Sequence, residues 1–575
     1  MNNSTEIADE FNKFFVQIGP NLASKIEHPL GKSYKHYLKT PVSHIFQFKK
    51  INADSVAKVI HSLKSKSTSG PDRLSNILLK EIAEDIIEPL TVIINQCFQT
   101  GIFPEKLKVA RVTPIYKKGD AHLFDNYRPI SVLPSVSKVI ERVMHNQLHE
   151  YFTRLKLYYS SQYGFRSMHS TELAALELID RITTKLDNNE IPINIYLDLS
   201  KAFDTLDHDI LLYKLSYYGI KGVSLKLIKN YMSNRYQYIE LNDTKSQNLP
   251  IKTGVPQGSI LGPLLFLIYI NDIALVSNIF QPIIYADDTT LSATLGTFGS
   301  FDNQPGNINR ELNKVDLWLK LNKLSLNINK TKAMIFHMPQ KIVQAPIIKI
   351  QNTLIEYVDN FNFLGICIDK NLNWKCHVNL IANKLNKVNA ILNKLKNFLP
   401  RHTLHTIYYS LFAPHLVYGL LLWGTKTDKL FKLQKKAIRL ISLSKYNAHT
   451  EPIFKKLKIL KLSHLCTLHE LKFCYRLENQ MLPNYFYTGI FKKYNELHSH
   501  LTRGTNKYEF PFVKHNFAKN SVRFKIAFTY NNTINLITEK ISTHSLYGFG
   551  LYIKNYYLES YTDTCTIRDC YICKS

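Results

Sequence analysis

Residues 283–291 read Ile-Ile-Tyr-Ala-Asp-Asp-Thr-Thr-Leu, a run that predicts strand, tight turn, strand. Its two adjacent carboxylates, Asp287 and Asp288, repel one another, so without a counter-charge such a turn is electrostatically strained. Asp is also an ordinary turn residue, and the dipeptide alone favours that plain reading. The residues around it reverse the balance.

Upstream, residues 192–199 alternate, with Ile193, Ile195 and Leu197 on one face and Asn194, Tyr196 and Asp198 on the other. That period predicts a half-buried strand whose Asp198 points away from the core. Residues 254–273 begin Gly-Val-Pro-Gln-Gly-Ser and turn into a strongly apolar helix. A strand is expected over 109–116, with helices over 53–63, 75–99, 134–152 and 170–187. Strands and helices mix without regular βα alternation, which predicts an α+β fold. After about residue 370 the composition shifts to basic helix, with apolar residues at helical spacing from Ile381 to Leu395 and lysines between them.

The 575 residues carry 73 Lys and Arg against 45 Asp and Glu, a formal net charge of +28. That excess points to a polyanionic partner, while an AT-rich coding bias would account for part of it. Eight scattered cysteines form no disulfide framework, which suits a reducing, intracellular compartment, nucleus or cytoplasm. The opening residues have no apolar core behind a basic start, so no signal peptide is expected there. The apolar stretches 260–276 and 406–423 are broken by Asn271, Asp272, Pro414 and His415, so buried helices are expected rather than membrane spans. Near the end, Cys565, Cys570 and Cys573 offer three thiols where structural zinc needs four ligands.

Nucleotidyl transfer needs two divalent cations about 3.5–4 Å apart, and Mg²⁺ takes only one or two protein carboxylates beside substrate phosphates. An Asp on one strand facing an Asp pair on a neighbouring hairpin is the inventory to seek, and Asp198, Asp287 and Asp288 supply it.

The surrounding motifs carry a resemblance. Tyr285-Ala286-Asp287-Asp288 resembles the YxDD box of reverse transcriptases, and the segment Tyr196 to Asp204 resembles their first metal-binding motif. Residues 254–263 resemble the motif that contacts template and nucleotide. Asn126 to Ser131 and Gln162 to Arg166 are similar to the fingers of non-LTR retrotransposon enzymes, the jockey-like and chicken-repeat-like groups in particular. Phe363-Leu364-Gly365 resembles the primer grip, and Gln434 to Arg439 the thumb. These motifs occur in the family's order and spacing.

The resemblance implies a right-hand polymerase. Its parts would be a lead-in over 1–50, fingers with the start of the palm over 51–190, and a core over 97–368 with the palm mainly in 191–368. A basic helical thumb would fill 369–465, and 466–575 would be a C-terminal region without an assigned role. The activity implied is RNA-directed DNA synthesis with two Mg²⁺, Mn²⁺ being able to substitute, on an RNA template with a DNA primer and deoxynucleoside triphosphates.

Asp198 and Asp287 would hold both metals, and Asp288 would assist nearer the primer. Phe203 stands where the family excludes a 2′-hydroxyl, although a plain core role also suits an aromatic ring. Gln257 would contact nucleotide and template. Arg128, with Lys117 or Lys118, would grip the triphosphate, unless those lysines merely line a solvated loop. Lys332 is a candidate general acid for pyrophosphate, with Lys330 equally placed. Gly365 and the cations Lys384, Lys387, Lys435, Lys436 and Arg439 would follow the nucleic-acid backbone, a solvated helix face being the other reading of those charges.

The opening residues resemble the family's segment after its upstream endonuclease, so the expectation is a polymerase without that nuclease; no ribonuclease H pattern is evident. Two rivals stand beside this reading. An RNA-dependent RNA polymerase is disfavoured by Phe203 and the Asp-Asp box. A decayed or domesticated copy would bind nucleic acid without synthesis.

Overall fold

Two sheets carry the architecture. The computed structural model describes residues 4–27, 29, 31–297, 305–341, 343–488, 490–494 and 506–564. In the first sheet, Tyr127–Val132, Val109–Tyr116, Arg235–Leu241 and Thr244–Lys245 lie side by side, and Leu249–Ile251 adds to Arg235–Leu241. Val109–Tyr116 runs antiparallel to Tyr127–Val132 and parallel to Arg235–Leu241. The second, central sheet has the order Glu356–Tyr357, Lys332–Ile335, Glu190–Leu197, Asp288–Thr297, Gln281–Tyr285. All its pairings are antiparallel except the outermost, between Glu356–Tyr357 and Lys332–Ile335. Helices surround both sheets, so the expected α+β mixture with antiparallel-rich sheets is what forms.

One expectation needs correction. The strand Glu190–Leu197 is not half-buried: every residue from Ile191 to Leu197 is buried. The reason is that both faces are covered. Ile193, Ile195 and Leu197 join a core with helix Leu261–Ile270 and Trp318. Tyr196, on the other face, joins a second core with helix Thr171–Asp187 and stacks on Phe361 at 3.7 Å between ring centres. Asn194 is tolerated there because its carbonyl accepts from the Ser292 hydroxyl of the adjacent strand.

Helix Leu261–Ile270 is apolar all round because it is buried all round. The buried Glu141 carboxylate accepts from the amides of Ile260 and Leu261, at 2.7 and 3.3 Å, and so satisfies the helix's leading N–H groups. Beyond its far end, buried Asp272 is held by Lys214 at 2.5 Å and by the Trp318 indole at 2.9 Å. The second apolar stretch folds as the short helices Arg401–Ile407, Ala413–Val417 and Leu420–Trp423 about a π-helical turn. Among the described residues no helix is long and apolar enough to cross a membrane.

The lead-in folds as helix Ser4–Ser24, whose Phe11, Phe15 and Ile18 pack on Val112 and Ile239 of the first sheet. The basic segment contains helices Lys375–Leu395 and Asp428–Ser442. Helix Leu462–Glu478 runs through the expected division at 465/466, and helices Val522–Thr543 and Leu546–Glu559 pack on it. This C-terminal part returns to helix Thr171–Asp187 behind the central sheet. The Arg523 guanidinium grips buried Asp180, with Nε 2.8 Å from each carboxylate oxygen, and the Tyr485 hydroxyl adds a third donor at 2.7 Å.

Candidate active site

Asp198 follows directly on the central strand. The last registered pair between that strand and its neighbour is Leu197 with Thr289, so the next step sets Asp198 opposite Asp288. Tyr285 pairs with Asp288 and leaves Ala286-Asp287 as a two-residue turn. Ala286 takes the left-handed φ of 57° that such a turn demands.

This turn is clamped from behind. Tyr163 donates its amide to Ile284 at 2.7 Å, and Ile284 returns one to Ser161 at 3.0 Å. The Gln162 side-chain oxygen accepts from Gly164 at 2.9 Å and from Ala286 at 3.3 Å. A Cβ on Gly164 would stand 2.4 Å from the Ala286 nitrogen, so only glycine lets the two loops meet. The Gln162–Arg166 motif therefore braces the Asp-Asp turn, a role its sequence did not disclose; the Gly within it was the available signal.

The electrostatics fit a site for cations. Burial lifts Asp287 above the usual carboxylate range and the Asp198 charge adds to it, while Arg128 and Lys117 pull it back. Asp288 is pushed up to about 6, first by the protein packed about it, then by Asp287 and Asp198. Lys117 is held low by burial and by its neighbours Arg128, Lys330 and Lys118, against the pull of Asp198. Carboxylates and cations thus share one field. Among the described residues no three His, Cys, Asp or Glu side chains close into a ready-made metal cage. Mg²⁺ that keeps its waters and takes substrate phosphates needs only an open carboxylate set, which these residues provide.

The two lysines considered for proton donation part ways. Lys332 sits on the central sheet with its ammonium 2.5 Å from Glu356 and 2.7 Å from the Asn329 carbonyl. Lys330 instead stands 3.8 Å from Asp198. Phe203 is half-buried, stacked on Phe266 at 4.5 Å with Phe165 edge-on at 6.3 Å. Gln257 gives its amide NH₂ to both oxygens of Asp204.

Gly365 completes the turn between Asn360–Phe363 and Ile366–Asp369, with φ of 47° at Leu364 and 86° at Gly365. The Tyr418 hydroxyl donates to the Leu364 carbonyl and holds this hairpin. A small cavity between it and the carboxylate strands is lined by Tyr196, Asp288, Thr290, Phe361 and Leu364. Lys384, Lys387 and Lys436 are exposed, while Lys435 lies 4.4 Å over the Phe431 ring. Arg439 is turned inward to the Ala448 carbonyl at 2.8 Å, which makes it a structural tie. Cys565, Cys570 and Cys573 lie outside the described residues.

Residues 115–368, which hold every one of these carboxylates, match the family model of the reverse transcriptase (RNA-dependent DNA polymerase). The chain carries a reverse transcriptase domain. Over 450 residues it is 28% identical to the RNA-directed DNA polymerase from mobile element jockey of Drosophila melanogaster, a match covering 75% of this chain and 48% of that protein. It is 27% identical over 463 residues to the probable RNA-directed DNA polymerase from transposon BS of the same species, covering 76% and 50%. A third relative, from the transposon X-element, is 26% identical over 439 residues, covering 74% and 47%. The chain spans about half the length of the curated relatives it matches. The resemblance to non-LTR retrotransposon enzymes is borne out, and the reverse transcriptase domain contains both strands of the Asp-Asp hairpin.

Proposed function

We propose that this protein is an RNA-directed DNA polymerase that extends a DNA 3′-hydroxyl on an RNA template, working as the polymerase of a non-LTR retrotransposon. The observation that carries the reading is Asp198 set opposite Asp288 beside the Asp287 turn, with Lys117, Arg128 and Lys330 in the same field. In this reading the first sheet belongs to the fingers, the central sheet is the palm, and helices Lys375–Leu395 and Asp428–Ser442 form the thumb.

Asp198 and Asp287 would hold two Mg²⁺, with Asp288 beside the ion nearer the primer. Bound there, the ions supply activation of the attacking hydroxyl and neutralisation of the departing pyrophosphate. The chain's own groups do the rest. Arg128 and Lys117 neutralise the triphosphate oxygens as charge builds on them. Phe203, stacked on Phe266, would exclude a 2′-hydroxyl. Gln257 meets the incoming nucleotide against the template. Lys384, Lys387 and Lys436 follow duplex phosphates without reading sequence.

Primer extension on an RNA template with Mg²⁺ and deoxynucleotides, run beside Asp287→Asn, tests the reading. Synthesis that the variant loses supports it. A folded, RNA-binding wild type that makes no DNA overturns it in favour of a copy that only binds nucleic acid.

A further inference from the structure

Asp204 is a partly buried acid that the metal reading does not use. Its carboxylate forms no ion pair within 4 Å among the described residues; its hydrogen-bond partner is the neutral amide of Gln257, at 2.9 and 2.8 Å. Burial pushes it up to about 6, with Gln257 and Lys201 opposing. Burying a charge against a neutral amide is costly, and an asparagine could make a hydrogen bond to Gln257 at no charge cost. The difference between the two lies in direction. An amide at position 204 could pair with Gln257 in either orientation, because each amide both donates and accepts. An ionised carboxylate only accepts, so it admits a single orientation of the Gln257 side chain.

The backbone around the pair is already fixed. The Gln257 carbonyl accepts from Ser131 at 2.7 Å, tying its loop to strand Tyr127–Val132. Gly258, at φ 130°, passes so close to that strand that a Cβ would stand 2.3 Å from the Ser131 oxygen. Gly254, at φ 79°, is pressed on Asp204, where a Cβ would meet backbone at 2.8 Å. From the lead helix, Gly19 closes on the Asp204 carbonyl, 2.4 Å from a Cβ placed there. With both loops seated, what orients the Gln257 amide is its pair of hydrogen bonds to Asp204.

We infer that Asp204 is a positioning residue for nucleotide selection: it turns the NH₂ of Gln257 inward and so presents the Gln257 carbonyl oxygen, an acceptor, to the incoming deoxynucleotide. This rests on the reading of Gln257 as a nucleotide contact.

The test is steady-state primer extension with the full chain, comparing Asp204→Asn, Gln257→Glu, the double variant and Gln257→Ala. Asp204→Asn should raise the deoxynucleotide KM roughly fivefold to tenfold, the value of one misdirected hydrogen bond, with kcat and Tm little changed. In the double variant the amide introduced at position 204 donates to the carboxylate introduced at position 257. An oxygen again faces outward, and the KM should recover most of the loss. Wild-type KM in Asp204→Asn overturns the inference, as does an Asp204→Asn protein that no longer melts cooperatively, or a double variant no better than the summed singles. Gln257→Ala separates the levels. If it raises KM while Asp204→Asn does not, Asp204 alone loses its role. If it leaves KM unchanged, the Gln257 contact falls and the inference with it.

Discussion

The Lys330 ammonium stands 3.8 Å from an Asp198 carboxylate oxygen, while Lys332, two residues on, is bound to Glu356. Both Lys330 and Asp198 are well exposed, so their contact is worth at most about 1 kcal/mol to stability. In the proposed polymerase its use would be chemical. Lys330→Ala is expected to lower the rate of nucleotide addition roughly tenfold to a hundredfold with Tm unchanged, as loss of a cation near a departing phosphate does. Lys332→Ala should retain near wild-type rates. Single-turnover incorporation checks both, and equal effects would remove the distinction.

Asp288 is raised from 3.8 to about 6 in the metal-free protein, so acid should weaken the hold of this site on cations. Protonation then competes with metal binding, so the Mg²⁺ concentration that half-saturates synthesis should rise as pH falls below about 6. The stability sign is opposite to that of a salt-bridged acid. Because the folded protein holds the proton more tightly than the unfolded chain, the ionised group works against folding at pH 7, and that cost fades between about 6 and 4. Because Asp288 is exposed, Asp288→Asn should raise Tm by no more than about 1 °C at pH 7, and not at pH 4, while impairing synthesis. Calorimetry at the two pH values, in chelator, decides it.

Phe203 packs on Phe266 and meets Phe165, so it has both a core side and an open side. Phe203→Ala should relax discrimination against ribonucleotides by roughly tenfold or more. The measured quantity is the ratio of kcat/KM for deoxy- and ribonucleotides. If the ratio holds while stability drops, the ring is packing alone.

Arg523 reaches buried Asp180 from the far end of the chain. Arg523→Ala should cost about 3 kcal/mol in unfolding free energy, because it strands a buried carboxylate. Replacing both residues by leucine should recover much of that loss. Urea midpoints of the single and double variants are the readout.

Local features of the site were legible in the sequence. The hairpin at 283–291 rests on neighbours in the chain, and the strand at Val109–Tyr116 falls where its pattern indicates. What the sequence hid depends on residues far away. Tyr196 and Asn194 alternate as if facing water, and they are buried only because Phe361 and helix Thr171–Asp187 lie over them. Lys330 and Lys332 look alike until Glu356 joins the edge of the sheet and claims one of them. Arg439 reads as a surface cation, yet the chain turns back at Ala448 and gives it a carbonyl.

Asp180 and Arg523 are 343 positions apart in the chain. At the usual pace of translation, about 5–20 residues per second, the helix behind the catalytic sheet leaves the ribosome roughly twenty to seventy seconds before the arginine that neutralises it. Asp288, the last of the three site carboxylates, follows Asp180 by 108 positions, so over the remaining 235 the nascent chain has its carboxylates made and its rear wall bare. A ribosome that stops between Asp288 and Arg523 therefore releases a chain with all three carboxylates and an unfinished back.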